Sequence, residues 1–298
     1  MSPTTRIIQV KIGVENMNLT NPETIKRIMD GLGIKFNKAL GQNFLIDQSV
    51  LDSTIESSGI DKNYGVIEVG PGIGTLTVEL SKHAGKVVAI ELDRSIAEYL
   101  KSAFVAYDNV EIVQGDALKT DLKKIIDEYM PGMPVVVIAN LPYYITTPLI
   151  MKFLEEGLPL ESITVLIQKE VAERIVSEAG RKEYGAISVA VKYYSNPEIV
   201  EIVPPDSFMP PPKVTSAVIK MDIKNHTKPK VEDEKNLFKV VHAAFGQRRK
   251  TLVNALSSAY SVPKEEIADI VKSITNNEKI RGEQLDLCQF IQISEKLK

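Results

Sequence analysis

The chain has little of several residue types that common functional sites need. Its 298 residues include no tryptophan, one cysteine and three histidines. The single cysteine, Cys288, excludes an internal disulfide and argues against a zinc site. His83, His226 and His242 lie far apart along the chain, so no histidine-based metal site or catalytic triad is predicted. The sequence therefore favours a protein without a metal.

Long apolar runs and a strong net charge are also missing. No apolar run approaches the length that spans a bilayer. No charged-then-apolar signal segment opens the chain, so we expect a cytoplasmic protein without membrane contact. The net charge of −3 argues against a uniformly basic nucleic-acid binder. From Asp206 onward, however, 16 Lys and Arg stand against 12 Asp and Glu. This surplus suggests a local electrostatic contact, although ordinary solvated surface is the simpler explanation from charge alone.

A strand, a glycine-rich turn and a helix follow one another around residue 70. The apolar strand 64–69 runs into GPGIG, and a helix is predicted over Leu76–His83. This order opens a nucleotide-binding βαβ unit, in which glycines let the backbone approach the ligand. The next strand, Lys86–Ile90, ends in Glu91, and a carboxylate at this place can accept hydrogen bonds from ribose hydroxyls. Gly70, Gly72 and Glu91 are therefore candidate ligand contacts.

Two further strands also end in polar residues. The third, Val110–Val113, leads to Asp116 and Ala117, where a carboxylate can accept from the amino group of an adenine. The fourth, Val135–Ala139, reads as a strand buried on both faces and leads to NLPYY. Because ligands bind beyond the carboxyl ends of parallel strands, these residues should meet at one mouth. A simple edge turn is the alternative for the Asn-Leu-Pro segment alone.

The glycine spacing bears on which nucleotide binds. The pattern is G-x-G-x-G, with Thr75 where a dinucleotide fold has its third glycine, which weakens the case for NAD. No P-loop pattern is present in the sequence. Carboxylates at the strand ends, without a phosphate-binding lysine, suit S-adenosylmethionine, whose sulfonium is cationic. An NAD enzyme remains as a weaker alternative.

Together, these motifs resemble a known family. EVGPGIGTLT, AIELD, GDAL and NLPYY, in this order, look like the Rossmann-like class I methyltransferases. NLPYY narrows the resemblance to the enzymes that dimethylate adenines in ribosomal RNA. LGQNFLID and FMPPPKVTSAV narrow it to the KsgA type, which acts on small-subunit rRNA. The resemblance covers roughly Lys35 to the C-terminus.

The resemblance implies a fold and a reaction. The fold is α/β: a Rossmann-like domain with a mostly parallel seven-stranded sheet that ends in an antiparallel hairpin, plus a small C-terminal all-helical domain. We expect residues 1–19 to be a disordered extension, 20–225 the methyltransferase domain and 226–298 a helical RNA-binding domain. The implied reaction dimethylates two adjacent adenosines near the 3′ end of 16S rRNA during small-subunit biogenesis. The cofactor becomes S-adenosylhomocysteine, and the enzyme is expected to be a monomer whose partner is the small ribosomal subunit.

Roles can be predicted for individual residues. The side-chain oxygen of Asn140 and the carbonyl of Leu141 should accept hydrogen bonds from the adenine amine, and Pro142 should aim that carbonyl. Tyr143 offers a face for the base to stack on, whereas Tyr144 is predicted to be core, with stacking support as the alternative. The resemblance adds Phe208 over the other face of the base. For the cofactor, the predicted contacts are Asn43, Leu45, Gly70, Gly72, Glu91, Asp116, Ala117 and Asn140.

Arg248, Arg249 and Lys250 form the densest basic run, which predicts phosphate contacts, with a helix-end charge cluster as the alternative. Two other functions stay open at this point. One is a large-subunit rRNA methyltransferase of the macrolide-resistance type. The other is a non-catalytic RNA-binding assembly factor on the same fold.

Overall fold

Seven strands of the computed structural model form one sheet in the first of two compact units. The structure describes residue 14, residues 17–33 and residues 43–297. In chain order the strands are β1 (Phe44–Leu45), β2 (Gly65–Val69), β3 (Lys86–Glu91), β4 (Val110–Gln114), β5 (Val135–Asn140), β6 (Leu160–Gln168), β7 (Asn196–Val203), β8 (Phe208–Met209) and β9 (Ser216–Asp222). The sheet order is β4-β3-β2-β5-β6-β9-β7, while β1 and β8 pair with each other.

The order of the strands places a ligand site before any side chain is considered. β2 lies between β3 and β5, and both pairs are parallel, so the chain changes direction across the sheet between β2 and β5. Ligands of open α/β sheets bind at such a switch point, beyond the carboxyl ends of the strands. The Val- and Ile-rich β2, β3 and β5 are buried along almost their whole lengths, as expected for strands covered on both faces.

The end of the sheet is antiparallel, in agreement with the sequence. β9 pairs antiparallel with β6 from Ser162↔Asp222 to Gln168↔Ser216, and β7 lies beside β9 at the edge. The helices of the first unit are α1 (Pro22–Leu32), α2 (Gln48–Ser58), α3 (Thr75–His83), α4 (Arg94–Ala103), α5 (Leu122–Tyr129), α6 (Thr146–Glu155) and the start of α7 (Lys169–Val176). Asn21 caps α1 by accepting from the backbone N–H of Glu23 and Thr24.

The described residues before α1 are not a loose extension. Val14 is 1% exposed and Leu19 is 5% exposed in the hydrophobic core. The carbonyl of Leu19 also accepts a hydrogen bond from the Thr75 hydroxyl at 3.4 Å. Both residues differ from the disorder predicted for residues 1–19, because their apolar side chains are used in packing. Residues 1–13, 15 and 16 lie outside the described part of the chain.

The second unit is helical, but it is larger than the sequence suggests. It contains residues 225–298 and also Glu173–Pro197, which the sequence had assigned to the first domain. Its helices are the rest of α7, α8 (Ala186–Tyr194), α9 (Glu234–Gly246), α10 (Leu252–Ser257), α11 (Lys264–Thr275) and α12 (Leu287–Lys296). Tyr184 and Tyr193 are buried in one core with Leu237 and Phe290, and this packing explains the difference.

Candidate active site

A cavity of about 240 Å³ opens at the carboxyl ends of β2, β3, β4 and β5. Predicted residues from separate motifs meet in its wall: Asn43, Leu45, Gly70, Gly72, Glu91, Asp116, Ala117, Asn140, Leu141, Pro142 and Tyr143. Phe44, Glu68, Thr75, Leu92, Leu118 and Tyr144 also line it. Lys, Arg and His are absent from this lining, as far as the described residues show. The cavity is therefore acidic and lacks the cations that a pyrophosphate ligand usually meets.

The glycine turn allows two motifs to come into contact. Gly70 and Gly72 have φ values of 69° and 58°, which glycine adopts without strain. A Cβ atom on Gly70 would lie 3.4 Å from Pro142 Cδ, and one on Gly72 would lie 2.8 Å from Phe44 Cε1. A side chain at Gly72 would therefore clash with the ring of Phe44. The turn then enters α3, whose first-turn N–H groups make its end attractive to an anionic ligand group.

Two buried carboxyl groups stand at the ends of β2 and β3. Glu91 accepts a hydrogen bond from the Asp93 N–H at 2.8 Å, and burial raises its pKa to about 7. Glu68 is 1% exposed, and burial raises its pKa to about 8, although the Thr77 hydroxyl donates to it at 2.7 Å. Each carboxyl group thus holds its proton more tightly because water is excluded.

At the end of β4, Asp116 and Ala117 lie in the cavity wall as predicted. Asp116 Oδ1 accepts from the Leu118 N–H at 3.0 Å, which holds the carboxylate in place. Lys119 lies 3.6 Å from Asp116 Oδ2, but its side chain is largely exposed, so this ion pair contributes little.

Asn140 is oriented by a hydrogen bond across the cavity wall. Its Nδ2 donates to the backbone carbonyl of Asn43 at 3.2 Å. A carbonyl oxygen only accepts, so this partner assigns the nitrogen to the Asn43 side and Oδ1 to the other side. The Asn140 amide therefore presents an acceptor of fixed position at the end of β5.

The turn after Asn140 is anchored at several points. The Leu141 N–H donates to the Leu166 carbonyl at 3.1 Å, which extends the contact between β5 and β6. The Pro142 carbonyl accepts from the Ile145 N–H at 3.1 Å and from the Thr146 hydroxyl at 3.2 Å. The Tyr143 hydroxyl and the Ser216 hydroxyl are 2.7 Å apart. These bonds fix the predicted catalytic turn to the neighbouring strands.

Two aromatic residues differ from expectation. Tyr144, predicted to be core, is 50% exposed at the cavity mouth, so that prediction is wrong. Phe208 is 2% exposed and pairs with the cavity residue Leu45 in the β1–β8 ladder, but it does not itself line the cavity. The structure therefore does not bring Phe208 to the site, and its contact with a base stays a prediction.

The three predicted RNA-binding residues lie after α9 in the second unit, with different surroundings. The guanidinium of Arg248 donates to the carbonyls of Lys182 at 3.0 Å and Tyr184 at 3.2 Å. It also donates to the Glu283 carboxylate at 3.2 Å. Arg249 and Lys250 are exposed, as is Arg248 despite these bonds. Arg248 thus has a structural role that local charge density could not reveal.

Sequence reasoning missed Glu68, Thr77 and Ser216. The sequence did contain a signal for Glu68. A carboxylate within the buried strand GVIEV costs folding free energy unless it has a hydrogen-bond partner or binds a ligand. Thr77 and Ser216 act through hydrogen bonds to residues nine and 73 positions away, and no local pattern marks them.

The sheet order, the glycine turn and the carboxyl-ended strands define a Rossmann-like class I methyltransferase. Comparison with known proteins narrows the class. The chain belongs to the ribosomal RNA adenine dimethylase family, whose profile matches residues 33–297.

Relatives and solved structures agree with this assignment. The chain is 47% identical to the ribosomal RNA small subunit methyltransferase A of Alkaliphilus oremlandii, over 91% of this chain and 95% of that protein. It is 46% identical to the protein of the same name from Alkaliphilus metalliredigens, over 94% and 98%. A dimethyladenosine transferase from Plasmodium falciparum superposes with a TM-score of 0.69 at 27% identity, over 84% of this chain and 95% of that one.

Neither a metal nor a membrane span has support in the described residues. Among them, no group of three or more His, Cys, Asp or Glu residues could hold a metal ion. No helix in this part of the chain combines the length and apolar character needed to cross a bilayer.

Proposed function

We propose that this protein dimethylates the exocyclic amines of two adjacent adenosines near the 3′ end of 16S rRNA, using S-adenosylmethionine. The observation that carries the proposal is the Asn140 amide, which is held by the Asn43 carbonyl so that Oδ1 is presented as an acceptor. The names of the bacterial relatives support the small subunit as the substrate. They do not favour the large-subunit alternative, and the intact Asn140–Tyr143 turn argues against a purely non-catalytic factor.

The residues of the cavity fit this cofactor. In this proposal the cavity residue Glu91 accepts from ribose hydroxyls and Asp116 from the adenine amine, while Ala117 adds an apolar wall. Asn43, Leu45, Gly70, Gly72 and Asn140 complete the proposed contacts. The carboxyl groups of Glu91 and Asp116 suit a cationic ligand, and the absence of basic residues from the described lining disfavours NAD. When bound, S-adenosylmethionine supplies an electrophilic methyl group.

The protein's task is then to orient a weak nucleophile. The lone pair of an adenine amine is delocalised into the ring. Acceptors at Asn140 Oδ1 and the Leu141 carbonyl can bind the two N–H groups and favour a tetrahedral nitrogen, whose lone pair is available. Pro142 fixes the carbonyl, and orientation of this kind supplies much of the rate. After the first transfer one N–H remains, so the same acceptors can serve the second.

Aromatic contacts hold the base. The Tyr143 ring is fixed by the bond of its hydroxyl to Ser216, and it offers a face for stacking. Burial raises the pKa of Tyr143, so the hydroxyl stays neutral. Stacking worth about 1–3 kcal/mol per base offsets the cost of extracting the adenine from the RNA. Phe208 is proposed for the second face, which requires movement of the residues that now cover it.

RNA binding is proposed for the basic run of the second unit. Arg249 and Lys250 are exposed and suit phosphate contacts, whereas Arg248 is engaged within the protein. We further propose that the enzyme acts as a monomer in the cytoplasm, where it meets the small subunit and its rRNA.

A methyl-transfer assay tests the proposed function. Purified small subunits that lack the modification are incubated with the protein and tritiated S-adenosylmethionine, and the RNA is digested to nucleosides. We expect N6,N6-dimethyladenosine, at two adjacent positions, from small subunits only. Label that enters large subunits instead, or that enters neither subunit, contradicts the proposal.

A further inference from the structure

Two neighbouring tyrosines in the turn after β5 have different surroundings. The Tyr143 hydroxyl contacts Ser216, the first residue of β9, and so lies toward that side of the sheet. Tyr144 lines the same cavity but is 50% exposed. The Tyr144 ring therefore borders the cavity and is open to solvent there.

Charge and exposure indicate where the Tyr144 ring lies. Burial raises the pKa of its hydroxyl, and the carboxylates of Asp116 and Glu91 raise the pKa further. Asp116, which follows β4, and Glu91, which ends β3, line the same cavity as Tyr144. Leu92, the residue after Glu91, lines the cavity and is 45% exposed. A large aliphatic and a large aromatic side chain thus border one mouth, where a ligand can cover both.

We propose that Tyr144 is a cofactor-binding residue whose ring covers the adenosine half of S-adenosylmethionine. The proposal rests on the cofactor proposed above. The proposed contact adds to those of the strand-end carboxylates and the glycine turn. It is an aromatic wall that comes from the turn after β5. A nucleotide of the RNA is the other possible occupant. The cofactor is favoured because Tyr144 shares its cavity with Glu91, Leu92 and Asp116, which follow or end the strands proposed to hold the adenosine, whereas Tyr143 is bonded to Ser216 of β9.

Calorimetry with S-adenosylhomocysteine alone tests the proposal without any methyl transfer. Tyr144→Ala should bind about 5- to 30-fold more weakly than wild type, the lower part of the range for loss of a stacked ring. Tyr144→Phe should stay within about twofold, because the ring and not the hydroxyl makes the contact. Tyr129→Ala, which removes a tyrosine outside the cavity lining, is the matched control and should bind like wild type. Tyr144→Leu replaces the Ala variant if that one does not fold, and it should also weaken binding.

A second probe locates the contact. 5′-Methylthioadenosine carries only the adenosine half, and its affinity should fall by the same factor in Tyr144→Ala. Unchanged affinity for both ligands overturns the proposal, and a loss confined to small-subunit binding assigns the ring to RNA instead. If wild-type protein binds neither ligand, the proposed cofactor itself is wrong, which is a separate outcome.

Discussion

At the residue scale, Asn140 differs from an ordinary turn residue in the use of its amide. The nitrogen end is occupied by the Asn43 carbonyl, so rotation of the side chain would break a hydrogen bond. The residue is only partly buried, and its truncation should leave no core cavity. Its role in transfer can therefore be separated from any role in folding.

Asn140→Ala should nearly abolish methyl transfer while the protein remains folded. The lost acceptor is one whose hydrogen bond strengthens as the amine becomes tetrahedral. Removal of one oriented group of this kind costs about 100- to 1000-fold in rate. Single-turnover transfer to purified small subunits measures the effect, with circular dichroism as the check on folding.

Asn140→Asp is the matched comparison. It keeps an acceptor, but it cannot donate to Asn43, so partial activity is expected. A rate within about tenfold of wild type for Asn140→Ala would show that the residue only shapes the turn.

Glu91→Ala should weaken cofactor binding and leave RNA binding nearly unchanged. The carboxyl group ends β3 in the cavity wall and is held by the Asp93 N–H. Calorimetry with the cofactor alone and a separate small-subunit binding assay measure the two effects. If a folded variant binds the cofactor as tightly as wild type, Glu91 does not contact the cofactor.

Glu68→Gln should change how stability depends on pH. In the folded protein the pKa of Glu68 is about 8, against an ordinary value of 4.5. The neutral carboxyl favours the folded state fully below pH 4.5, and this stability is lost as the pH rises towards 8. Glutamine does not ionise. Between pH 5 and pH 8 the free energy of unfolding of the variant should therefore rise relative to that of wild type, by at least about 1.4 kcal/mol. Urea unfolding without cofactor measures this, and a difference that does not vary with pH would contradict it.

At the element scale, the short β1–β8 ladder joins two motifs that lie far apart in the sequence. Leu45 pairs with Phe208 and Phe44 with Met209, so two residues from each motif form one small sheet. The ring of Phe44 also leaves no room for a side chain at Gly72. The ladder thus contributes Phe44 and Leu45 to the cavity wall.

Phe208→Ala should lower the free energy of unfolding by about 3–5 kcal/mol, because the ring is almost fully buried. Urea unfolding measures this. Phe208→Leu separates packing from base stacking, since it keeps apolar volume and lacks the ring. A transfer rate that recovers together with stability assigns Phe208 to packing alone, and a rate that stays low supports stacking.

Local patterns were sufficient for the strands, the glycine turn and most of the cavity. Glu91, Asp116 and Asn140 follow apolar runs directly, and parallel strands bring their ends together. Features that depend on distant partners could not be predicted in this way, and no local pattern marked the exposure of Tyr144. The burial of Phe208 depends on β1, and the occupied guanidinium of Arg248 depends on Lys182 and Glu283.

At the scale of the whole molecule, salt dependence should distinguish neighbouring basic residues. Arg249→Ala and Lys250→Ala should each reduce the slope of log affinity against log salt by about 0.7–0.9, the value for one lost phosphate contact. Small-subunit binding at several salt concentrations gives the slope. Slopes equal to wild type would exclude phosphate contacts at both positions.

Arg248→Ala should behave differently. Its guanidinium joins the 182–184 segment to Glu283, so its loss should lower the free energy of unfolding by about 1 kcal/mol, with little change in slope. A reduced slope with unchanged stability would show that Arg248 contacts phosphate and has no structural role.

The Tyr143–Ser216 contact has a consequence for fidelity. Ser216 begins β9 shortly after the prolines of the FMPPPKV motif, and its hydroxyl is 2.7 Å from that of Tyr143. If Tyr143 stacks on the target base as proposed, a shift of Ser216 would move the ring that receives the base. We therefore expect the position of β9 to influence which RNA the enzyme accepts.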